Sequence, residues 1–397
     1  MALGEIVLSN RMLRGLFEDD GLALELPADY RPVRPDRLMV DRIYLCQGSI
    51  SSAGRKRFVE RICALYPSAI VMDCLSTPHN RVGLREKDPL AMQTAGKRTL
   101  VFGELRNCVR FSEEEGNACP NYWHFSPYGF CPHGCKYCYL AGTTGVWYSP
   151  TIKIYVNLPE MIGQIARVAA KLAQPTAFYL GKLQDGLALD SLTAYSTVLV
   201  PFFARHAFAR QVILTKSDCV DRLLDLDHGG HTILSWSLNP PEIVAQFEEN
   251  VPAVEARLEA MRRCAKRGYP VRAVIMPIIP VPDWKALYAA FVERLLTSVP
   301  LQRLTLGGIC IYKGARHLME AKLGRANAIS EHIAPHAESG DGRARYAPSL
   351  RQEIYEHLIA CVRRIRPQLE LALCLEDLSV WRALKLEPGL GRCNCVL

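Results

Sequence analysis

No run of about eighteen apolar residues, the length a membrane helix needs, occurs anywhere in the sequence. The opening residues, Met1 to Arg11, lack the basic end and long apolar stretch of a secretory leader. These absences predict a cytoplasmic protein with mostly reduced thiols and no membrane partner. Internal repeats and low-complexity segments are missing too, and 397 residues suffice for a large core or for one large domain plus appendages. There is no large excess of charge: a net +8 over 397 residues is moderate. Basic clusters at Arg55-Lys56-Arg57, Arg262-Arg263, Lys266-Arg267 and Arg363-Arg364 could offer a phosphate-binding surface. On helices such clusters are more often a solvated face. A disulfide framework is also absent, because the 15 cysteines are odd in number and irregularly spaced.

What the sequence does contain is a strand–helix alternation. Residues 1–115 read as an N-terminal α/β lobe. Its apolar runs Arg42–Cys46, Ala69–Met72 and Thr99–Phe102 predict buried strands, and Phe58, Ile62 and Leu65 mark a helix over Lys56–Tyr66. The polar stretch Ser76–Lys97 is expected to be a loop. Residues 116–345 alternate more regularly. Strands are predicted at Tyr122–Ser126, Ala177–Leu180, Gln211–Thr215, Thr232–Trp236, Val271–Ile275 and Arg303–Leu306. The clearest helix is Val254–Arg267, closed by Gly268. Six such units predict an α/β fold with a parallel sheet, a partial (β/α)6 barrel whose site lies at the C-terminal strand ends. Residues 346–397 add a helix, Arg351–Ile365, a strand, Leu369–Leu375, and a short tail.

Most cysteines, including Cys46, Cys63, Cys74, Cys264, Cys310 and Cys361, sit singly among apolar residues and read as small buried hydrophobes. Two groups do not. The first is Cys131-Pro-His-Gly-Cys135-Lys-Tyr-Cys138. Short cysteine spacings let one loop supply several thiolates to an iron–sulfur cube while leaving one iron open. Structural zinc normally takes four ligands from paired Cys-x2-Cys knuckles, and no second pair is close by, although His133 and Cys119 are near in sequence. The second group is Arg392-Cys393-Asn394-Cys395. Two thiols one residue apart suit a soft, thiophilic centre, and redox cycling of the pair is an alternative. The plain reading is a flexible tail with two unremarkable thiols; the other is a tail folded over the barrel mouth to meet the substrate, a second cluster or a metalloid.

The three-then-two cysteine spacing after the first barrel strand, with Tyr137 before the last cysteine, resembles the radical S-adenosylmethionine superfamily. The likeness narrows to the spore photoproduct lyase-like family over about residues 120–312. It rests on Cys138-Tyr-Leu, Lys153-Ile-Tyr-Val-Asn157, Thr215-Lys216 and Ser237-Leu-Asn239, then Phe247-Glu248, Ala265-Lys266-Arg-Gly268-Tyr-Pro270 and Pro277-Ile278. The resemblance implies a radical-SAM barrel with a [4Fe-4S] cluster on Cys131, Cys135 and Cys138. It implies reductive cleavage of S-adenosyl-L-methionine to a 5′-deoxyadenosyl radical, and an electron donor such as flavodoxin or ferredoxin. Lys216, Ser237 and Asn239 match positions lining the S-adenosylmethionine site. A lysine there can pair with the cofactor's carboxylate, and Ser and Asn can bond its ribose or amino-acid part. Tyr137 and Tyr139 could pack on the cluster or adenine.

Two departures bear on the substrate. The family's hydrogen-donating cysteine after the second barrel strand is matched by Lys182, and the family's Tyr-, Trp- and Gly-rich DNA-contacting segment is not recognisable in His336–Pro348. Lys182, Tyr139, Cys393 and Cys395 are therefore the candidate catalytic residues of a lyase-like or transferase enzyme. Its substrate is left open among DNA, a small molecule, a peptide and a metalloid. Thymine-dimer repair is one alternative. Aminocarboxypropyl transfer to a metalloid, on a short likeness of the tail to enzymes acting on arsenite, is another.

Overall fold

A computed structural model describes residues 26–27, 29–340 and 342–397. The predicted apolar runs form two main sheets joined by one continuous hydrophobic core. In the first sheet, Ile70–Cys74, Arg42–Cys46, Thr99–Gly103 and Ile152–Tyr155 lie parallel in that order, and Tyr128–Gly129 adds an antiparallel edge. Its last two strands come from beyond residue 115. The change in pattern at 115 marks where regular alternation begins, not where pairing with the first sheet ends.

The second sheet is the partial barrel. Its strands are β1 (Tyr122–Phe125), β2 (Thr176–Leu180), β3 (Ala209–Thr215), β4 (Thr232–Leu238), β5 (Val271–Ile275) and β6 (Arg303–Leu306). These six pair in sequence order and in parallel, as their near-continuous apolar runs imply for strands covered on both faces. The strand expected in the C-terminal extension forms as β7 (Glu370–Leu373) and pairs parallel with β6, so the extension lengthens the barrel sheet. Val109–Ser112 closes the opposite edge in antiparallel pairing with β1.

The helix Val254–Lys266 turns Val254, Leu258 and Met261 inward, and Gly268 follows with φ +85°. Arg257 on the same helix is also fully buried, which its charge did not announce. The segment Ser76–Lys97 is not all loop. Asp88 caps a helix over Pro89–Lys97 by accepting the Ala91 N–H at 2.8 Å, and proline occupies the start of the first turn. No helix among the described residues is long and apolar enough to cross a membrane.

Candidate active site

The cysteine loop hangs between Tyr128–Gly129 and Ile152–Tyr155 of the first sheet and reaches across to the barrel. It begins at Phe130, whose φ of 61° turns the chain sharply into Cys131. Lys97, the last residue of the capped helix, holds this turn. Its ammonium lies 4.1 Å from the Phe130 ring centroid and donates to the carbonyls of Cys131, at 2.6 Å, and of His133. On the barrel side, Gly134 N–H donates to Glu249 O at 2.7 Å and Lys136 N–H to Phe247 O at 2.9 Å. A Cβ on Gly134 would sit 2.9 Å from that of Glu249, so glycine is needed for the approach.

Cys131, Cys135 and Cys138 all open into one cavity of about 430 Å³. Among the described residues, no three His, Cys, Asp or Glu side chains converge on a single-ion position. Thiols spread around a shared space suit separate corners of an iron–sulfur cube, whereas a zinc ion would draw its ligands to one point.

Lys216, just past β3, and Ser237, in β4, line the same cavity. The Lys216 ammonium donates to Ser237 Oγ at 2.9 Å, to Glu248 Oε1 at 2.8 Å and to the Tyr137 hydroxyl at 3.2 Å. Tyr137 in turn donates to Glu248. Arg257 completes the set, bonding Glu248 Oε2 at 2.8 Å and the Ser237 carbonyl at 3.2 Å. Burial alone would raise the Glu248 carboxyl, but the Lys216 and Arg257 charges overcome it and hold the pKa down to about 2. Asp185 is a second buried carboxylate. Burial raises it, but His133, Thr215 and the Lys216 N–H lower it to about 2. Asp185 Oδ2 lies 3.4 Å from His133 Nε2, which ties the cysteine loop to the end of β3.

Asn239 does not reach the cavity. It is fully buried, its amide donating to Pro277 O at 3.2 Å and its carbonyl oxygen accepting the Tyr288 hydroxyl at 2.9 Å. A polar residue at a strand end has here been absorbed by the packing of the next loop.

Lys182 lines the cavity too, but its ammonium is engaged by Ser112 and by Glu114 at 3.1 Å. Glu114 also accepts from Tyr122, at 3.1 Å, and from Arg343, at 3.0 Å. Arg343 belongs to a hairpin, Ile333–Glu338 with Ala344–Tyr346, that fills the region where sequence showed no recognisable segment. Tyr139 lines the cavity and donates to the Lys182 carbonyl.

The tail does not cover the mouth. It docks on one cross-strand row inside the barrel, formed by Ser235, Arg272, Arg303 and Glu370, which are register partners on β4 to β7. Ser235 donates to Asn394 at 2.6 Å, Arg303 to Cys393 O at 2.6 Å, and Arg272 to Val396 O at 2.5 Å. Glu370 pairs with Arg392 at 3.4 Å. The row lies two residues before Ser237 and Val274, which line the cavity, so the tail forms its floor. Buried strand arginines need acceptors, and the tail carbonyls supply them. Cys393 and Cys395 thus reach the cavity from below. Cys119, noted near the loop in sequence, lines it with them, as do Cys310 and Cys374, which sequence did not single out for a site. The basic clusters, by contrast, are largely neutralised: Arg262 pairs with Glu259, Arg263 with Asp221, Arg267 with Asp225, and Arg55 with Glu104 and Glu160.

A model of the spore photoproduct lyase family matches residues 44–310. The chain belongs to the spore photoproduct lyase family. It is 30% identical over 236 residues to spore photoproduct lyase of Geobacillus sp. (strain Y412MC61), covering 58% of this chain and 67% of that relative. With the Bacillus subtilis (strain 168) enzyme the identity is 29% over 228 residues, 57% of this chain and 65% of the relative. The chain thus aligns with about two thirds of these relatives' length. In fold it is similar to a spore photoproduct lyase complexed with dinucleoside spore photoproduct, at TM-score 0.74 and 23% identity over 86% of this chain and 100% of the other. A variant of that enzyme with bound S-adenosylmethionine and the same dinucleoside gives 0.73 and 22%, covering 86% and 99%. As a member of this family the chain is a radical S-adenosylmethionine enzyme of lyase type, with a [4Fe-4S] cluster and S-adenosylmethionine as cofactors.

Proposed function

We propose that this enzyme opens a thymine photoproduct of the spore type in DNA, in a cytoplasmic setting and with a flavodoxin- or ferredoxin-class electron donor. The observation that carries the reading is one cavity lined at once by the cysteine triplet, the Lys216–Ser237 pair and the hairpin residue Arg343. Matched relatives named for this activity support it.

In this reading Cys131, Cys135 and Cys138 hold the cluster, which supplies one-electron reductive cleavage of S-adenosylmethionine. Lys216 and Ser237 receive the polar end of the cofactor. Glu248 and Arg257 fix the Lys216 ammonium beside Ser237, and Tyr137 spans from the cysteine loop to Glu248. Asn239 positions the following loop through Pro277 and Tyr288 rather than touching the cofactor. Apolar walls from Leu140, Leu214, Ile309 and Met276 exclude water from reactive intermediates. Lys182, Glu114 and Arg343 form a polar wall toward the substrate.

The test is anaerobic reconstitution followed by reduction with S-adenosylmethionine and dinucleoside spore photoproduct. Release of 5′-deoxyadenosine with conversion of the dinucleoside to two thymine nucleosides is expected. Formation of 5′-deoxyadenosine with the dinucleoside untouched would overturn the substrate and leave the radical chemistry standing.

A further inference from the structure

The family assignment leaves the four thiols on the cavity floor without a task. Cys119, Cys374, Cys393 and Cys395 come from three separate segments and share one wall. Cys119 is hydrogen-bonded to Cys393, and Cys393 to Cys395, whose backbone N–H also donates to Cys393 Sγ at 3.4 Å. Cys119 Sγ accepts the Leu375 N–H at 3.2 Å. These bonds anchor Cys119 and Cys393, and Cys393 is 3% exposed. Cys395 is less buried and packs beside Tyr122, Tyr179 and Leu214, the last three all on the cavity wall.

Their protonation state matters. The bond with Cys393 and then burial raise the Cys119 thiol, and burial raises Cys374. At Cys393 the bond from Cys119 lowers the thiol, but the bond to Cys395 and burial outweigh it. At Cys395 the bond from Cys393 lowers it, and burial outweighs that. All four are therefore S–H groups near neutrality. A protonated thiol that lines the cavity holds a hydrogen it can give up to a radical formed there. The S–H bond, like the tyrosine O–H bond, is among the weakest bonds to hydrogen in protein side chains. Lys182, whose ammonium lies 5.1 Å from the Tyr122 ring centroid, offers only strong N–H bonds already engaged by Ser112 and Glu114.

We propose that Cys395 donates the hydrogen atom that quenches the substrate-derived carbon radical, from a floor held in place by Ser235, Arg272 and Arg303. This assignment rests on the radical reading above. In the step, the Cys395 S–H bond breaks homolytically and a C–H bond forms on the product, leaving a thiyl radical on Cys395. One electron from the flavodoxin- or ferredoxin-class donor reduces the thiyl to a thiolate. A proton from solvent, to which Cys395 is more open than Cys393, restores the thiol. Tyr139 lines the same cavity as Cys138 and Cys395.

Thiol hydrogens exchange with solvent, so the transfer is read by turnover of dinucleoside spore photoproduct in deuterated water. The native enzyme should place one deuterium in the product. Cys395→Ala and Cys395→Ser should still release 5′-deoxyadenosine, with product label lost and repair down tenfold or more. Unlabelled product from the native enzyme overturns the proposal without recourse to any variant. Label that persists in Cys395→Ala, or that disappears only in Tyr139→Phe, overturns it too. Absence of 5′-deoxyadenosine, or an unconsumed dinucleoside, removes the underlying reading and this step with it. A readout independent of turnover uses cluster-free protein: bound dinucleoside should slow iodoacetamide labelling of Cys395 at least threefold by peptide mapping. Unchanged labelling would place the substrate elsewhere and defeat the assignment.

Discussion

At the scale of single residues, the site depends on charges that are buried and mutually compensated. Glu248 has no exposed side-chain surface and faces Lys216, Arg257 and Tyr137. Glu248→Gln removes one side of a buried ion pair and leaves two cations uncompensated, which costs roughly 3–5 kcal/mol. Denaturant unfolding should show a loss of that size, together with weaker S-adenosylmethionine binding by calorimetry. The same carboxylate sets an acid limit. Its folded pKa, about 2, lies below its ordinary value of 4.5, so its stabilisation is present above pH 4.5 and is lost as pH falls toward 2. Thermal melts over that window should drop more steeply for the native protein than for Glu248→Gln. Lys97 is a second such residue. Replacing it with Met keeps the stem over Phe130 but strips the donor from the Cys131 and His133 carbonyls, costing about 1–3 kcal/mol of loop stability. Reconstituted Lys97→Met should hold measurably less iron and acid-labile sulfide per chain; full occupancy would show that the clamp is dispensable.

At the scale of elements, the approach of the cysteine loop to Phe247–Glu249 is close enough to be broken by one methyl group. Gly134→Ala would place its Cβ 2.9 Å from the Glu249 Cβ and 3.1 Å from its carbonyl oxygen. The loop must shift, and cluster absorbance near 400 nm, the usual region for such clusters, should bleach several-fold faster in air than in the native protein; an equal rate would show that the loop yields without consequence. The barrel strands were legible in the sequence because strands covered on both faces are short unbroken apolar runs bounded by turn residues. The cysteine triplet was legible because three thiols in one loop have few other uses. Other parts depended on partners distant in sequence. Asn239 and Ser237 look alike as polar residues at the end of β4, yet one faces the cavity and the other is taken up by Tyr288. The helix ending at Lys97 was hidden in a polar stretch, although Asp88-Pro89 is a start signal. Glu248 carried a faint signal, an acid directly after the apolar run ending at Phe247. The tail's place could have been sought from Arg272 and Arg303, since an arginine inside a buried strand must find acceptors somewhere.

At the scale of the whole molecule, the first sheet and the barrel are interleaved along the chain. The path runs from β1 to Tyr128–Gly129 in the first sheet, through the cysteine loop, back to Ile152–Tyr155 in the first sheet, and only then to β2. A fragment beginning at residue 116 keeps every barrel strand but loses the partners of Ile152–Tyr155 and the Lys97 clamp. Expressed alone, it should fail to retain iron and should unfold without a cooperative transition by circular dichroism; a fragment that binds iron as the full chain does would show that the first sheet is an accessory. The suspension of the loop between two sheets has a further consequence for how the enzyme ages. Damage that loosens either sheet slackens the cysteine loop, so cofactor loss and the first stage of unfolding become one event. With oxygen excluded, fading colour in the native protein should then track loss of the scaffold, and iron and sulfide should restore it only while both sheets are still joined.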